Sequence, residues 1–167
     1  MNKIYTLIIA SFFVSLFYSQ ETKTTLDVKI TSVEKMRKKL EGTTVILYKN
    51  NLKLDSVSLK DGRYELLLDT GNVYKVEFKK EDYVTKYIIL NTKEAPDNFD
   101  KKTKLKIDIG LFHKKENLNV DFLKKEPIGY ARYDFVSDKM EWDYTYLKLM
   151  KGKIIKATLD YAKSKKY

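Results

Sequence analysis

One stretch constrains the fold of this chain more than any other. Leu54 to Thr92 reads LDSVSLKDGRYELLLDTGNVYKVEFKKEDYVTKYIILNT. It divides into four short strands with turns at Asp61-Gly62, at Asp69-Thr70-Gly71-Asn72 and at Lys80-Glu81-Asp82. Tyr64, Leu66 and Leu68 fall on one side of a strand, and Tyr74, Val76 and Phe78 on one side of the next. Lys75, Glu77 and Lys79 take the opposite side. Side chains of a strand alternate between its two faces, so each strand has one buried and one wet face. Asp-Gly between two such runs is a hairpin signal, because both central residues of a type I′ turn need positive φ. Parallel sheets covered on both faces would show continuous apolar runs instead.

The same alternation appears on either side of this stretch. Leu26, Val28 and Ile30 alternate with polar residues, Thr43 to Tyr48 is β-branched and apolar, and Lys49-Asn50-Asn51 reads as a turn. Tyr83 to Leu90 is apolar on both faces apart from Thr85 and Lys86. Leu105, Ile107, Ile109 and Leu111 alternate with Lys104, Lys106 and Asp108. The expected fold is all-β: an antiparallel sandwich of seven or eight strands with a C-terminal α-helix. Residues 20–112 form the sandwich. Residues 113–167 form an extension, with an eighth strand in Ile128 to Val136 and a helix packed on the sandwich. Asp143 stands where an N-cap would. Leu147, Met150, Ile154, Ala157 and Tyr161 follow at spacings of three and four, which is one helical face. Lys148, Lys156, Lys163 and Lys166 fall on the other.

The turns carry a family resemblance. Asp61-Gly62-Arg63-Tyr64, Gly71-Asn72-Val73-Tyr74 and Lys80-Glu81-Asp82-Tyr83 follow one another as in the carboxypeptidase-regulatory-like, transthyretin-like domains of bacterial envelope proteins, which this chain resembles over roughly Leu26 to Lys151. Such domains usually have glycine where Asp82 stands, and Asp tolerates the left-handed region better than most residues. Asn91-Thr92, Leu118 to Pro127 and Asp143 to Thr145 resemble one exported subfamily of some Gram-negative bacteria. The resemblance implies a sandwich fold and a non-catalytic role, since the regulatory-like domain stands beside a peptidase and is not itself the catalyst.

Residues 1–19 read as a signal peptide: Lys3 supplies a positive start, Leu7 to Phe17 an apolar core, and Tyr18-Ser19-Gln20 a cleavage region. The expected location is the periplasm, the outer membrane surface or the exterior. The chain has no cysteine, so neither a disulfide nor a lipidated cysteine anchor is open to it. Its net charge is +10. For an exported protein that balance points away from nucleic acid and toward anionic lipopolysaccharide, acidic glycans or an acidic protein face, if it is more than a solvated lysine-rich surface.

No catalytic, cofactor or metal site is expected. The single histidine, His113, cannot build a multi-histidine metal centre, no nucleophile-elbow motif surrounds a serine, and the six glycines are scattered. Paired acids at Asp55, Glu65 and Asp69, on neighbouring strands, are the one arrangement that could support a carbohydrate-active or peptidase-associated hydrolase. The stronger signal is aromatic. Tyr130, Tyr133, Phe135, Trp142, Tyr144 and Tyr146 crowd one segment, and Phe99 sits in the long loop Asn91 to Lys102. Exposed rings beside charges can stack on sugars or clasp a protein, and the same rings could instead seat the helix. Phe99, Tyr130, Tyr133, Trp142, Tyr144 and Tyr146 are therefore the candidate partner-binding residues of an exported module for an envelope protein or glycan. The lysine face of the helix offers a further reading, peripheral contact with an anionic membrane surface.

Overall fold

A computed structural model of the chain describes residues 24–33, 38–96 and 104–164, with the side chains of residues 161, 162 and 164 left aside. The expected signal peptide at 1–19, Phe99 and Lys166 lie outside the described residues. The described residues form nine strands: β1 (Thr24–Ser32), β2 (Thr43–Lys49), β3 (Leu52–Leu59), β4 (Arg63–Leu68), β5 (Val73–Lys79), β6 (Lys86–Asn91), β7 (Lys104–Leu111), β8 (Gly129–Asp134) and β9 (Lys139–Trp142). Two helices accompany them, α1 (Phe122–Lys125) and α2 (Tyr144–Ser164). The molecule is thus mostly β, with two sheets and a C-terminal helix. One sheet has the order β4-β1-β7 and the other β3-β2-β5-β6-β8-β9.

The alternation in the sequence sets the inner faces. Leu26, Val28 and Ile30 of β1, Val76 and Phe78 of β5, and Ile88 and Leu90 of β6 are fully buried in one cluster to which both sheets contribute. Ile109 and Leu111 of β7 join them. Fully burying each such side chain is worth about 1.5–3 kcal/mol relative to leaving it in water, which is what joins the sheets in the absence of disulfides.

Three sequence expectations change. The sheets are not wholly antiparallel: β1 runs parallel to β7, and β6 runs parallel to β8. Parallel neighbours need a long connection, and both pairs have one, with all of β7 and α1 lying between β6 and β8. The described residues hold nine strands where seven or eight were expected, because Lys139–Trp142 folds back on β8. Asp61-Gly62, finally, does not close a hairpin. β3 pairs with β2 and β4 with β1, so the turn carries the chain from one sheet to the other. Only Gly62 takes the left-handed conformation there, at φ +66°. A Cβ on it would sit 2.8 Å from the Ile30 carbonyl oxygen, so glycine also permits a close backbone approach. The Asp69–Asn72 turn likewise returns the chain to the larger sheet.

The hairpin with two left-handed residues lies elsewhere, at Asn50 (φ 50°) and Asn51 (φ 68°) between β2 and β3. Asp82 also adopts φ 61°, the conformation for which glycine is the usual choice. β6 starts at Lys86, three residues later than the apolar run, and Tyr83 instead makes a lone bridge to His113.

β8 and β9 extend the large sheet beyond β6, and α2 follows. Asp143 caps it as its sequence position suggests: Oδ1 accepts the backbone N–H of Tyr146 at 2.9 Å. The helix docks through Met150, buried with Val84, Phe112 and Leu123, and through the partly buried Ile154. Gly152 is exposed within it.

Candidate functional site

The β8–β9 turn, residues 135–138, presents the most exposed apolar side chain among the described residues. Val136 is 97% exposed and its neighbour Phe135 is 72% exposed. Burial alone would disfavour this arrangement, yet the turn is held firmly. The Asp134 carboxylate Oδ1 accepts the backbone N–H groups of Ser137 at 2.7 Å and Val136 at 3.0 Å. This is the local side-chain-to-backbone bonding by which Asp fixes turns. Those two bonds, that from Ser137 foremost, hold the Asp134 carboxyl below the usual carboxylate range. Across the turn the Tyr133 hydroxyl donates to Asp138 Oδ1, and Asp138 takes φ 51°. The Phe135 ring stands edge-on to the Tyr133 ring, with centroids 5.1 Å apart. Two large apolar groups thus project from a pinned turn.

The expected aromatic residues are not one surface. Tyr133 and Trp142 are buried in the core, at 6% and 7% exposure. Their ring faces are therefore not available to a partner in this fold. Tyr133 serves as the base of the tip. The Trp142 indole Nε1 donates to the Lys106 carbonyl oxygen of β7 at 3.0 Å, linking the two sheets. Tyr146 is half-buried and its hydroxyl donates to the Pro127 carbonyl oxygen at 2.7 Å, tying α2 to the segment before β8. Burial raises its phenol pKa, with Glu126 contributing. Tyr130 is half-buried on the opposite face of β8 from Tyr133, with its hydroxyl accepting from Asn91 Nδ2 at 3.3 Å. Among the described candidates Tyr144, at the start of α2, is freely exposed, as is Phe135 of the same aromatic run. Phe135, itself one of the crowded rings, and its neighbour Val136 are the residues of this segment that stand furthest into solvent. Period-two alternation along β8 would have separated Tyr133 from Tyr130. Nothing local marks Val136.

The three acids are not brought together either. Asp55 is on β3 of the large sheet and Glu65 on β4 of the small one, so they are not on neighbouring strands. Glu65 pairs in register with Asp27, and Asp69 is in an ion pair with Lys49 at 3.0 Å. His113 is half-buried and its ring stacks on Tyr83, centroids 4.0 Å apart. Among the described residues no three metal-ligating side chains gather. The outer face of α2 carries Lys148, Lys156 and Lys163, all exposed, but also the exposed Leu149, Ile155 and Leu159. No described helix is long and apolar enough to cross a membrane. No protein-family model matches the chain, and no curated protein matches it.

Proposed function

We propose that this chain is an exported, non-catalytic binding module of the transthyretin-like sandwich class, which holds an envelope protein or glycan. Its place would be the periplasm, the outer membrane surface or the exterior. The observation that carries the reading is the tip of the β8–β9 turn. Exposed apolar groups are common on proteins singly, but here Phe135 and Val136 are adjacent and their backbone is fixed by Asp134 and by the Tyr133–Asp138 bond. A rigid apolar anchor loses little conformational freedom on binding, so more of its burial appears as affinity. Tyr144 remains a candidate contact because its ring is exposed. Tyr133 and Trp142 enter only as scaffold.

The test is crosslinking in the native cells with tagged protein, comparing wild type with the double variant Phe135→Ser, Val136→Ser. A partner recovered with wild type and lost with the variant is the expected result. A recovered set unchanged by the variant would remove the tip from the binding surface. A second reading, attachment to anionic lipid, is favoured by the exposed Leu149, Ile155 and Leu159 among the lysines of α2. It expects co-sedimentation with anionic vesicles that weakens with salt and with Lys148→Glu, Lys156→Glu, Lys163→Glu, because surface attraction is screened over about 10 Å at 0.1 M salt.

A further inference from the structure

A second surface, separate from the tip, has the shape and charge of a ligand site. A cavity of about 560 Å³ opens between the end of β5, the segment leading into β6, residues 114–121 and α1. Its size falls within the range of small-molecule clefts, roughly 300–1,000 Å³. Four lysines line it: Lys79, Lys114, Lys115 and Lys124. They come from three separate parts of the chain, so the fold and not a local run of charge assembles them. One carboxylate, Asp121, also lines the cavity, and Lys124 Nζ bonds to its Oδ1 at 2.6 Å. That contact holds the Asp121 carboxyl below its usual range. Among the described residues neither Lys79 nor Lys114 has an ion-pair partner. Lys79 and Lys114 thus bring to the site positive charge that no carboxylate among the described residues pairs with.

The floor is apolar and small-featured. Val84 and Leu123 are buried beneath it, and Leu118 and Val120 are half-buried at its wall. None of the lining residues is aromatic. The cavity therefore lacks the stacking platform on which single-stranded nucleic acid lays its bases. It also contains no arginine, hence no planar fork for bidentate recognition of one fixed anion. Lysine ammonium groups instead act as mobile point charges with several donors each. They suit a ligand that carries both negative groups and many acceptor hydroxyls, with an apolar C–H face to lay on Leu118 and Val120.

We propose that this cavity binds an anionic saccharide, a glycan segment bearing carboxylate groups. The ring C–H face rests on the Leu118–Val120 wall, and the carboxylates are held by Lys79 and Lys114, with Lys115 and Lys124 at the rim. The proposal is independent of the tip, so either site can fail without the other.

The experiment is a calorimetric titration of the purified protein with trigalacturonate, with maltotriose as the neutral trisaccharide, inorganic phosphate as the bare anion and anionic phospholipid vesicles as a fourth arm. The expected result is binding of trigalacturonate that weakens with salt, with maltotriose and phosphate far weaker. Lys79→Glu with Lys114→Glu should weaken it at least about tenfold, since each reversal turns an attraction into a repulsion. Both lysines are exposed, and circular dichroism of the variant checks its fold. Lys29→Glu with Lys60→Glu, both exposed and outside the cavity, should leave the titration unchanged apart from the general loss of charge. No trigalacturonate binding, or binding equal in both double variants, overturns the proposal. Phosphate or maltotriose binding as tightly as trigalacturonate overturns the saccharide assignment. Vesicle binding that needs Lys79 and Lys114, with no trigalacturonate binding, replaces it with a lipid headgroup.

Discussion

Replacing Trp142 by Phe separates a scaffold role from a binding role, and its cost can be worked from the contacts. The indole Nε1 to Lys106 carbonyl bond, 3.0 Å long, is lost. The bond's share is about 0.5–1.5 kcal/mol. The second loss is packing. The indole Cζ3 lies 3.2 Å from where a Cβ on Gly129 would stand, beside Leu147 and Ile107. The absence of a side chain at Gly129 is what lets the large ring fit, and a phenyl ring does not refill that space. A partial cavity of this kind adds about 1 kcal/mol. The sum is about 2 kcal/mol, which for a domain of this size lowers Tm by about 4–8 °C. Thermal unfolding followed by far-ultraviolet circular dichroism measures it, because Trp142 is the only tryptophan and its fluorescence vanishes with the substitution. In the wild type that single fluorophore should emit to the blue and resist aqueous quenchers. A Trp142→Phe protein with unchanged Tm but weakened partner recovery would refute the argument and return Trp142 to the surface.

Two further outcomes are expected. Asp143→Ala removes the acceptor for the Tyr146 N–H and should cost about 1 kcal/mol, read as earlier exchange of the first-turn amides of α2; unchanged exchange there would show that the cap contributes nothing. The tip should respond to acid with a defined sign. The folded-state pKa of Asp134 is lowered, so its support for the turn is complete above the ordinary carboxylate pKa and is lost as pH falls through the lowered value. Amide chemical shifts of Val136 and Ser137 should therefore titrate below the usual carboxylate range, and titration at the ordinary carboxylate pH would contradict the two hydrogen bonds.

The inner faces were legible in the sequence because strand periodicity is local. Tyr74, Val76 and Phe78 alternate, and all three are buried. The cap and docking face of α2 were legible for the same reason, through Asp143 and the three-and-four spacing of Leu147, Met150 and Ile154. Which strand pairs with which was not. Asp61-Gly62 has the same chemistry whether it closes a hairpin or passes between sheets, since Gly62 needs its left-handed φ in either case. The choice is made by contacts distant in sequence, such as the Ile30 N–H donating to the Gly62 carbonyl oxygen at 2.7 Å. β9 escaped notice because four residues give too little alternation to read. The aromatic crowding left open which rings pack and which face water: density along the chain says nothing about side, and β8 turns Tyr133 inward and Tyr130 outward.

The same distinction decides between two of the exposed apolar features among the described residues. β3 ends the large sheet and is exposed at every residue but Leu59, with Leu52 and Leu54 prominent. An open edge of this kind is a template for pairing with another chain. Yet β3 is blunted. The register with β2 is broken by an irregularity opposite Leu47 and Tyr48, Lys53 and Asp55 place charges along the edge, and Asp55 Oδ1 satisfies the Ser56 N–H within the strand at 2.7 Å. Each of these raises the cost of adding a strand there. At the β8–β9 tip the hydrogen bonds work in the opposite direction, because the Asp134 carboxylate and the Tyr133–Asp138 pair keep Phe135 and Val136 in the water rather than turning them away. Exposure is equal evidence at both places, and the supporting contacts are not. They favour the tip as the surface made for a partner, and β3 as an edge kept from finding one.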